Sequence, residues 1–425
     1  MRGLGYKSSR QLMKLWQGQH ITPRALTPIS TAQWCRYSST TSNVSPPGTT
    51  GVDIEAIRAE MLARKPQIHS DVMFPNNSDL LNTALSEFLP KLLPDEGSAE
   101  PDPSQYNLYR DLNNHEHPTI PPAHHLVYFP LSLRGSDLCP DGTDPYHSPL
   151  DTPFTRRMWA GGSIQGFSNM ILDGKPAVCI ESNVDVNVRG PAGAEKIFVE
   201  VLREYINRGS RSYSDLVDLR SASIGSVVRG QRGFGIKGIT ERRTLVFMRE
   251  FNNEEKRTNL EQEQRTVKAL RKPDYSVELT PTPTLLFRYS ALSYNAHRIH
   301  LDRSYCREVE GYRDLLVHGP LSLTLMLSVL QSRLSQEEYP EFIEDINYRH
   351  LAPLYVGQPM RICIARLNPQ ATKKGEENGS DRAAETRKRR DLKVKNKWDV
   401  WVENQDGSLC VKGTAATVKY QIPRR

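Results

Sequence analysis

The stretch that most constrains the fold is Gly319 to Leu334, GPLSLTLMLSVLQSRL. It is apolar nearly all round until Gln331 and Arg333, and a helix of that kind is buried on most sides. Pro320 is acceptable in its first turn, where the N–H that proline lacks would be unpaired anyway. Upstream, the chain passes through a turn crowded with imidazoles, with Asn295, His297 and His300 preceding His318-Gly319-Pro320. The first N–H groups of the helix, near Gly319, have no intrahelical partners. A base at His300 beside those N–H groups suits proton transfer next to a carbonyl.

The segments around this helix have strand signals. TLLFRYSAL, from Thr284, reads as an entering strand, and MRICIARL, KWDVWVEN and LCVKGTAATVKYQI follow the helix. The last two are joined by Gln405-Asp406-Gly407-Ser408, a hairpin signature. A buried helix followed by antiparallel strands that can only wrap around it describes a hot-dog fold, α+β in class. The first half has its own strand candidates: AHHLVYFPLSL at 123–133, PAVCIESNVDVNV at 176–188, AEKIFVEVLREYI and RRTLVFMREF. It reads as a second, degenerate copy, giving a double hot dog with an N-terminal repeat at 53–275 and a C-terminal catalytic repeat at 281–425. Two amphipathic helices open the first copy, IEAIRAEMLARK and residues 76–93, the second ended or kinked by Pro90. Residues 94–122 are proline-rich and read as a surface connection. Residues 368–395, polar and dense in charge with a basic run at 387–390, read as a flexible insertion.

The formal charge of +7 is concentrated at the start. Residues 1–50 contain Arg2, Lys7, Arg10, Lys14, Arg24 and Arg36 and no acidic residue, leaving the rest at about +1. A nearly neutral body lacks the basic footprint of a nucleic-acid binder. The acid-free start, rich in Ser and Thr, has the composition of a mitochondrial transit peptide over residues 1–45; a basic tail of no targeting function is the alternative. The apolar run Leu321 to Leu330 falls short of the roughly 18 residues that span a bilayer, so membrane insertion is not expected. The six cysteines are scattered without a C-x-x-C pair, against structural zinc or a disulfide scaffold. The glycine-studded GSVVRGQRGFGIKGI matches neither a P-loop nor a dinucleotide fingerprint and reads as a loop.

Asn295-Ala-His-Arg-Ile-His300-Leu-Asp302 with His318-Gly319-Pro320 resembles the hydratase-2, or MaoC-like, family of hot-dog enzymes, on the side of the fungal mitochondrial 3-hydroxyacyl-thioester dehydratases of type 2 and the mesaconyl-CoA hydratases. PFTRRMWAGGSI at 153–164, LVFMRE at 245–250 and FRYSALSYNAHRIHLDR at 287–303 extend the likeness over most of residues 120–425. The resemblance implies a double hot-dog fold, with His300 as the base and the Gly319 N–H holding the thioester carbonyl. The family's catalytic Asp falls on Asn295, and an amide cannot donate a proton as an acid does. Asp302 and His297 are the nearby candidates for that proton, with His318 a further auxiliary residue. For each histidine a structural, hydrogen-bonded role is the alternative. Arg156, Arg157 and Trp159 are candidate substrate-binding residues, the alternative being salt-bridged arginines around a core tryptophan. Arg298 either meets carrier phosphates or pairs with Asp302 or Glu308. The adjacent His124 and His125, expected on a strand, point to opposite faces and do not both ligate one metal.

The resemblance implies reversible dehydration of a (3R)-3-hydroxyacyl thioester to the trans-2-enoyl product in mitochondrial type II fatty acid synthesis. The substrate would be carried by acyl carrier protein or coenzyme A. No cofactor and no metal is called for. A hydratase for a mesaconyl- or itaconyl-type CoA ester, and a non-catalytic hot-dog protein that binds acyl thioesters, are the competing readings. An apolar tunnel would suit the first of the three and a buried Arg or Lys at its end the second. The sequence leaves open whether two chains pair as a homodimer.

Overall fold

The computed structural model describes residues 53–89, 118–191, 193–207, 236–261, 267–269, 271–336, 341–367 and 393–420. Ten strands form one antiparallel sheet: β1 (Gln67–Val72), β2 (Arg156–Gln165), β3 (Pro176–Arg189), β4 (Lys196–Asn207), β5 (Ile236–Met248), β6 (Tyr275–Leu279), β7 (Glu341–His350), β8 (Met360–Leu367), β9 (Lys393–Asn404) and β10 (Leu409–Tyr420). Their order is β1-β3-β4-β5-β2-β7-β10-β9-β8-β6. Read outward from the β2–β7 seam, the two halves repeat one topology: second, fifth, fourth, third, first. That repetition makes the architecture a double hot dog.

The core helix, Gly319–Leu334, forms over the span expected from its sequence. Leu321, Leu323, Leu325, Met326, Leu327 and Leu330 are all fully buried. Its polar residues bond back to the preceding turn, Ser322 Oγ to the His318 carbonyl and Thr324 Oγ1 to that of Pro320. The hydroxyls of Ser322 and Thr324 are thereby paired within the apolar interior. On β8, Ile362 and Ile364 belong to the helix-facing core, while Cys363 and Ala365 pack with Trp401 on the other side of the sheet. That alternation is the period-2 pattern of a strand. The main core also takes in Leu81, Leu85, Tyr128 and Phe167 of the N-terminal half, so one hydrophobic core serves both halves.

Several expectations need correction. TLLFRYSAL is not a strand but part of an entry helix, Pro283–Ser293, whose N-cap Thr282 accepts a hydrogen bond from Leu285 N at 3.2 Å. Leu285, Leu286 and Tyr289 point inward and Phe287 outward, a helical period concealed by strand-forming residue types. It ends at Tyr294, which is left-handed at φ 52°. AHHLVYFPLSL is likewise not a strand: His124–Val127 form a 3-10 turn between two left-handed residues, Ala123 and Phe129. His124 and His125 are both buried there, so the opposite-faces argument does not apply. β6 pairs with β8 at the far edge, so the second half begins near residue 275 rather than 281. β1 and β7 gave no clear signal in the sequence. Part of the charged segment after β5 is an exposed helix, Asn253–Glu261. Asn252 Oδ1 accepts from Glu254 N and Glu255 N while Glu255 Oε2 accepts from Asn252 N, a reciprocal cap.

The segment at 1–45, most of the 94–122 connection and all but the last three residues of the insertion at 368–395 lie outside the described residues, as does most of the glycine-studded loop. Among the described residues no helix is long and apolar enough to cross a membrane, and five cysteines are free.

The seam holds the two halves together through five residue pairs, from Gly161 with Arg349 to Gln165 with Asp345. Gly162 sits where a Cβ would overlap the Arg242 carbonyl oxygen of β5 and press on the Tyr348 hydroxyl. Gly162→Ala is therefore expected to destabilise the fold by about 1–3 kcal/mol, as overpacking does. Urea unfolding of the variant beside the wild type measures it.

Candidate active site

The entry helix, its left-handed end at Tyr294 and a short 3-10 turn, Arg298–His300, deliver the imidazole-rich segment to the head of the core helix. Asn295 fixes the first bend, its N–H donating to Ser290 O at 2.8 Å and its Oδ1 accepting from His297 N at 3.0 Å. With the amide oxygen occupied, the Nδ2 group remains to serve as a donor.

His300 is buried, and its Nδ1 lies 2.8 Å from the Leu316 carbonyl oxygen. A carbonyl only accepts, so Nδ1 carries the hydrogen and the neutral ring has its lone pair on Nε2. The ring stacks on His318 at 3.7 Å between centroids, and His318 in turn bonds Ser290 Oγ through Nε2 at 2.8 Å. Burial pushes His300 down to about 4, with the Leu316 hydrogen bond pulling the other way. Burial, with His300 and Arg157 nearby, puts His297 well below the usual imidazole range; burial with His300 and His297 nearby does the same to His318.

Gly319 opens the core helix, with Pro320 next. A Cβ on Gly319 would come within 3.3 Å of His350 Nε2 and 3.4 Å of Trp159 Cβ, so a larger residue would crowd both. The N-terminus of a 16-residue helix adds the positive end of its dipole at that point.

His300, Gly319, Asn295 and His297 all line one cavity of about 590 Å³. Leu126, Phe129, Leu131 and Leu354 supply apolar wall, while Arg157, Arg203, Arg243, Glu181 and His147 make part of it polar. Arg203 is paired with Glu181 (2.7 Å) and Arg243 with Glu241 (2.6 Å). Arg157 donates to the Asp144 carbonyl at 3.1 Å and has no carboxylate at ion-pair distance among the described residues. Trp159 also lines the cavity, beneath the Arg243 guanidinium and with its indole N–H on Gly161 O.

The other expected site residues lie elsewhere. Arg156, next to Arg157 on β2, points to the opposite face, where it pairs with Glu310 at 2.8 Å beneath Phe251. It is a structural ion pair, outside the cavity lining. Arg298 and Asp302 pair with each other at 2.8 Å on the surface, and Arg298 covers the Tyr305 ring. Neither lines the cavity. His318 stands behind His300 and supports it. Asp144, His147 and Glu181 are the cluster of metal-ligand type among the described residues. His147 is hydrogen-bonded to Asn183 (2.7 Å) and Glu181 (3.1 Å), which satisfies both its nitrogens within the protein.

Sequence reasoning missed His350, at the end of β7. It lines the cavity, its Nε2 is buried without a hydrogen-bond partner among the described residues, and burial pushes it down to about 4. It also missed Asp141, 3.5 Å from His297 Nε2. The Pro140-Asp141-Gly142 turn signal was there, but nothing in it told which side chain the turn would meet.

The family model for hydroxyacyl-thioester dehydratase type 2 matches residues 123–356. A mitochondrial hydroxyacyl-thioester dehydratase type 2 of Schizosaccharomyces pombe is 29% identical over 253 residues, covering 58% of this chain and 78% of the relative. A mesaconyl-C(4)-CoA hydratase of Chloroflexus aurantiacus is 43% identical over 90 residues, 21% of this chain and 30% of that protein. Among solved structures, a MaoC-like dehydratase superposes with a TM-score of 0.50 at 10% identity, covering 85% of this chain and all of that one, a likeness of fold. With its family match spanning more than half its length, the chain belongs to the hydroxyacyl-thioester dehydratase type 2 family.

Proposed function

We propose that this chain removes water reversibly from (3R)-3-hydroxyacyl thioesters to give trans-2-enoyl thioesters, in mitochondrial type II fatty acid synthesis. The observation that carries the reading is that His300 and Gly319 line one cavity. His300 Nε2 takes the proton from the carbon next to the thioester carbonyl. The negative charge that builds on the carbonyl oxygen is met by the Gly319 N–H and the end of the helix dipole. Asn295 Nδ2 orients the departing hydroxyl. Acyl carrier protein is the carrier we infer, and the mitochondrial compartment draws on the names of the fungal relatives and on the acid-free first 50 residues.

Arg157 favours a second reading. A guanidinium in a substrate cavity, without a carboxylate partner among the described residues, matches a planar anion in a bidentate fashion. It would select a short acyl CoA ester ending in a carboxylate, of the mesaconyl or itaconyl type. Hydration of crotonyl-CoA, a long-chain enoyl-CoA and mesaconyl-CoA separates the readings, with no turnover of any favouring a thioester-binding protein.

Three results are expected. His300→Ala loses about 10²–10⁴-fold in kcat/KM while keeping its circular dichroism, and Asn295→Ala loses less; wild-type activity in His300→Ala removes that residue from the mechanism. If the second reading is right, Arg157→Leu lowers kcat/KM for mesaconyl-CoA at least tenfold more than for crotonyl-CoA; equal losses favour the first.

The third concerns pH. His300 and His350 sit at about 4 in the folded chain against about 6.5 unfolded, so the unfolded chain binds these protons more readily. The stability contributed by the neutral rings is complete above about pH 6.5 and is withdrawn as the pH falls towards 4, by up to about 1.4 kcal/mol per pH unit for each ring. Thermal midpoints between about pH 7 and 4.5 should fall accordingly, and less steeply in His350→Gln.

A further inference from the structure

If His300 is the base, the hydroxyl still needs a proton to leave as water, and Asn295 has none to give as an acid. The N-terminal half offers an arrangement that meets this need. Asp141 lies in a tight turn, closed by Gly142 N on Cys139 O and Cys139 N on Thr143 O, both at 2.8 Å. That turn is clipped to the catalytic segment. Arg298 N donates to Asp141 O at 2.8 Å, and Gly142, at φ +84°, sits so close that a Cβ would overlap the Ala296 carbonyl oxygen.

The Asp141 carboxylate divides its two oxygens. Oδ1 accepts from Thr143 N at 2.9 Å and from Thr143 Oγ1 at 2.6 Å. Oδ2 faces His297 Nε2 at 3.5 Å, and both side chains are more than nine-tenths buried. With Nε2 turned to Asp141, Nδ1 of His297 has no hydrogen-bond partner among the described residues. His297 lines the cavity and meets His300 edge-on, 5.4 Å between centroids.

We infer that His297, held and charge-balanced by Asp141, supplies the proton that carries the 3-hydroxyl away as water; the inference rests on the dehydratase reading and deepens it. His300 Nε2 takes the proton from the carbon beside the carbonyl, and the freed electron pair becomes the carbon–carbon double bond. The C3–O bond breaks with its pair going to oxygen, which takes a proton from the His297 imidazolium and departs as water. His300 then holds the proton that His297 lost, and exchange through water in the cavity restores both rings. Asp141 never touches the substrate. It is a positioning residue: burial holds His297 well below the usual imidazole range, and the carboxylate facing Nε2 at 3.5 Å sets the ring and balances the charge that the ring carries when it takes up the proton it delivers.

A leaving group that needs no proton tests the assignment. Chloride departs from a 3-chloroacyl thioester unaided by an acid, whereas hydroxide does not. Elimination from 3-hydroxybutyryl-CoA and from its 3-chloro analogue is measured for the wild type, Asp141→Asn, His297→Gln and His300→Ala. The expected result is a loss of about 10²-fold or more on the hydroxy substrate for Asp141→Asn and His297→Gln. On the chloro substrate those two variants should lose less than tenfold, while His300→Ala fails on both. Equal losses on the two substrates in Asp141→Asn and His297→Gln would reduce the pair to a structural role and overturn the inference, as would no loss in either. A wild type inert towards both substrates would overturn the dehydratase reading itself.

Discussion

The constraint on which the rest depends is the burial of the core helix. Leu321, Leu323, Leu325, Leu327 and Leu330 cover so much of its circumference that one flat surface cannot hide them. Strands β7, β8 and β9 of the sheet pack against the helix, and Tyr289 of the entry helix reaches Thr324 on it. Each buried methylene is worth about 0.8 kcal/mol, so the head of this helix is held firmly in place. The Gly319 N–H, which no residue of the helix can bond, is fixed along with it. The His300 imidazole comes to the same place because its Nδ1 is tied to Leu316 O, three residues before that head. Packing and hydrogen bonding thus place a lone pair and a helix N-terminus on one cavity.

The doubling of the fold explains how the cavity acquires its chemistry. Among the described residues the N-terminal half has no counterpart of the core helix. It contributes instead Leu81, Leu85, Leu126 and Val127 from shorter helical segments to the shared core, and the loop through Thr143, Asp144 and His147 to the cavity wall. Because β2 and β7 join the halves in one sheet, side chains of the N-terminal half such as Arg157 and Trp159 reach the cavity that the C-terminal half opens. A single half would have His300 and Gly319 but neither Arg157 nor Asp141.

The sequence made some of this legible and hid the rest for physical reasons. The core helix was readable to the residue because its composition permits only burial. β8, β9, β10 and the Asp406-Gly407 hairpin were readable from alternation and turn chemistry. The entry helix was misread because Leu, Phe, Tyr and Ser sit in either structure, and the deciding feature was the Thr282-Pro283 start, a helix cap. β7 was overlooked because its buried apolar residues Ile343, Ile346 and Tyr348 do not keep strict alternation, the pairing with β10 shifting register at Glu344, so its His350 went unseen. Arg156 and Arg157 were treated as one feature. As neighbours on a strand they face opposite ways, and only Arg157 reaches the cavity. At the catalytic segment, local spacing identified His300, Asn295 and Gly319 as neighbours of one cavity. It could not show that Arg298 and Asp302 pair with each other outside the cavity, nor find Asp141, more than 150 positions away in sequence.

The central claim is geometric: a thioester lies between His300 Nε2 and the Gly319 N–H. A crystal structure of the chain soaked with crotonyl-CoA tests it most directly. The account expects the thioester oxygen at about 2.7–3.1 Å from Gly319 N and the adjacent carbon facing His300 Nε2, with His300 Nδ1 still on Leu316 O. A thioester bound away from the head of the core helix, or a His300 ring turned so that Nε2 faces the protein interior, would contradict it.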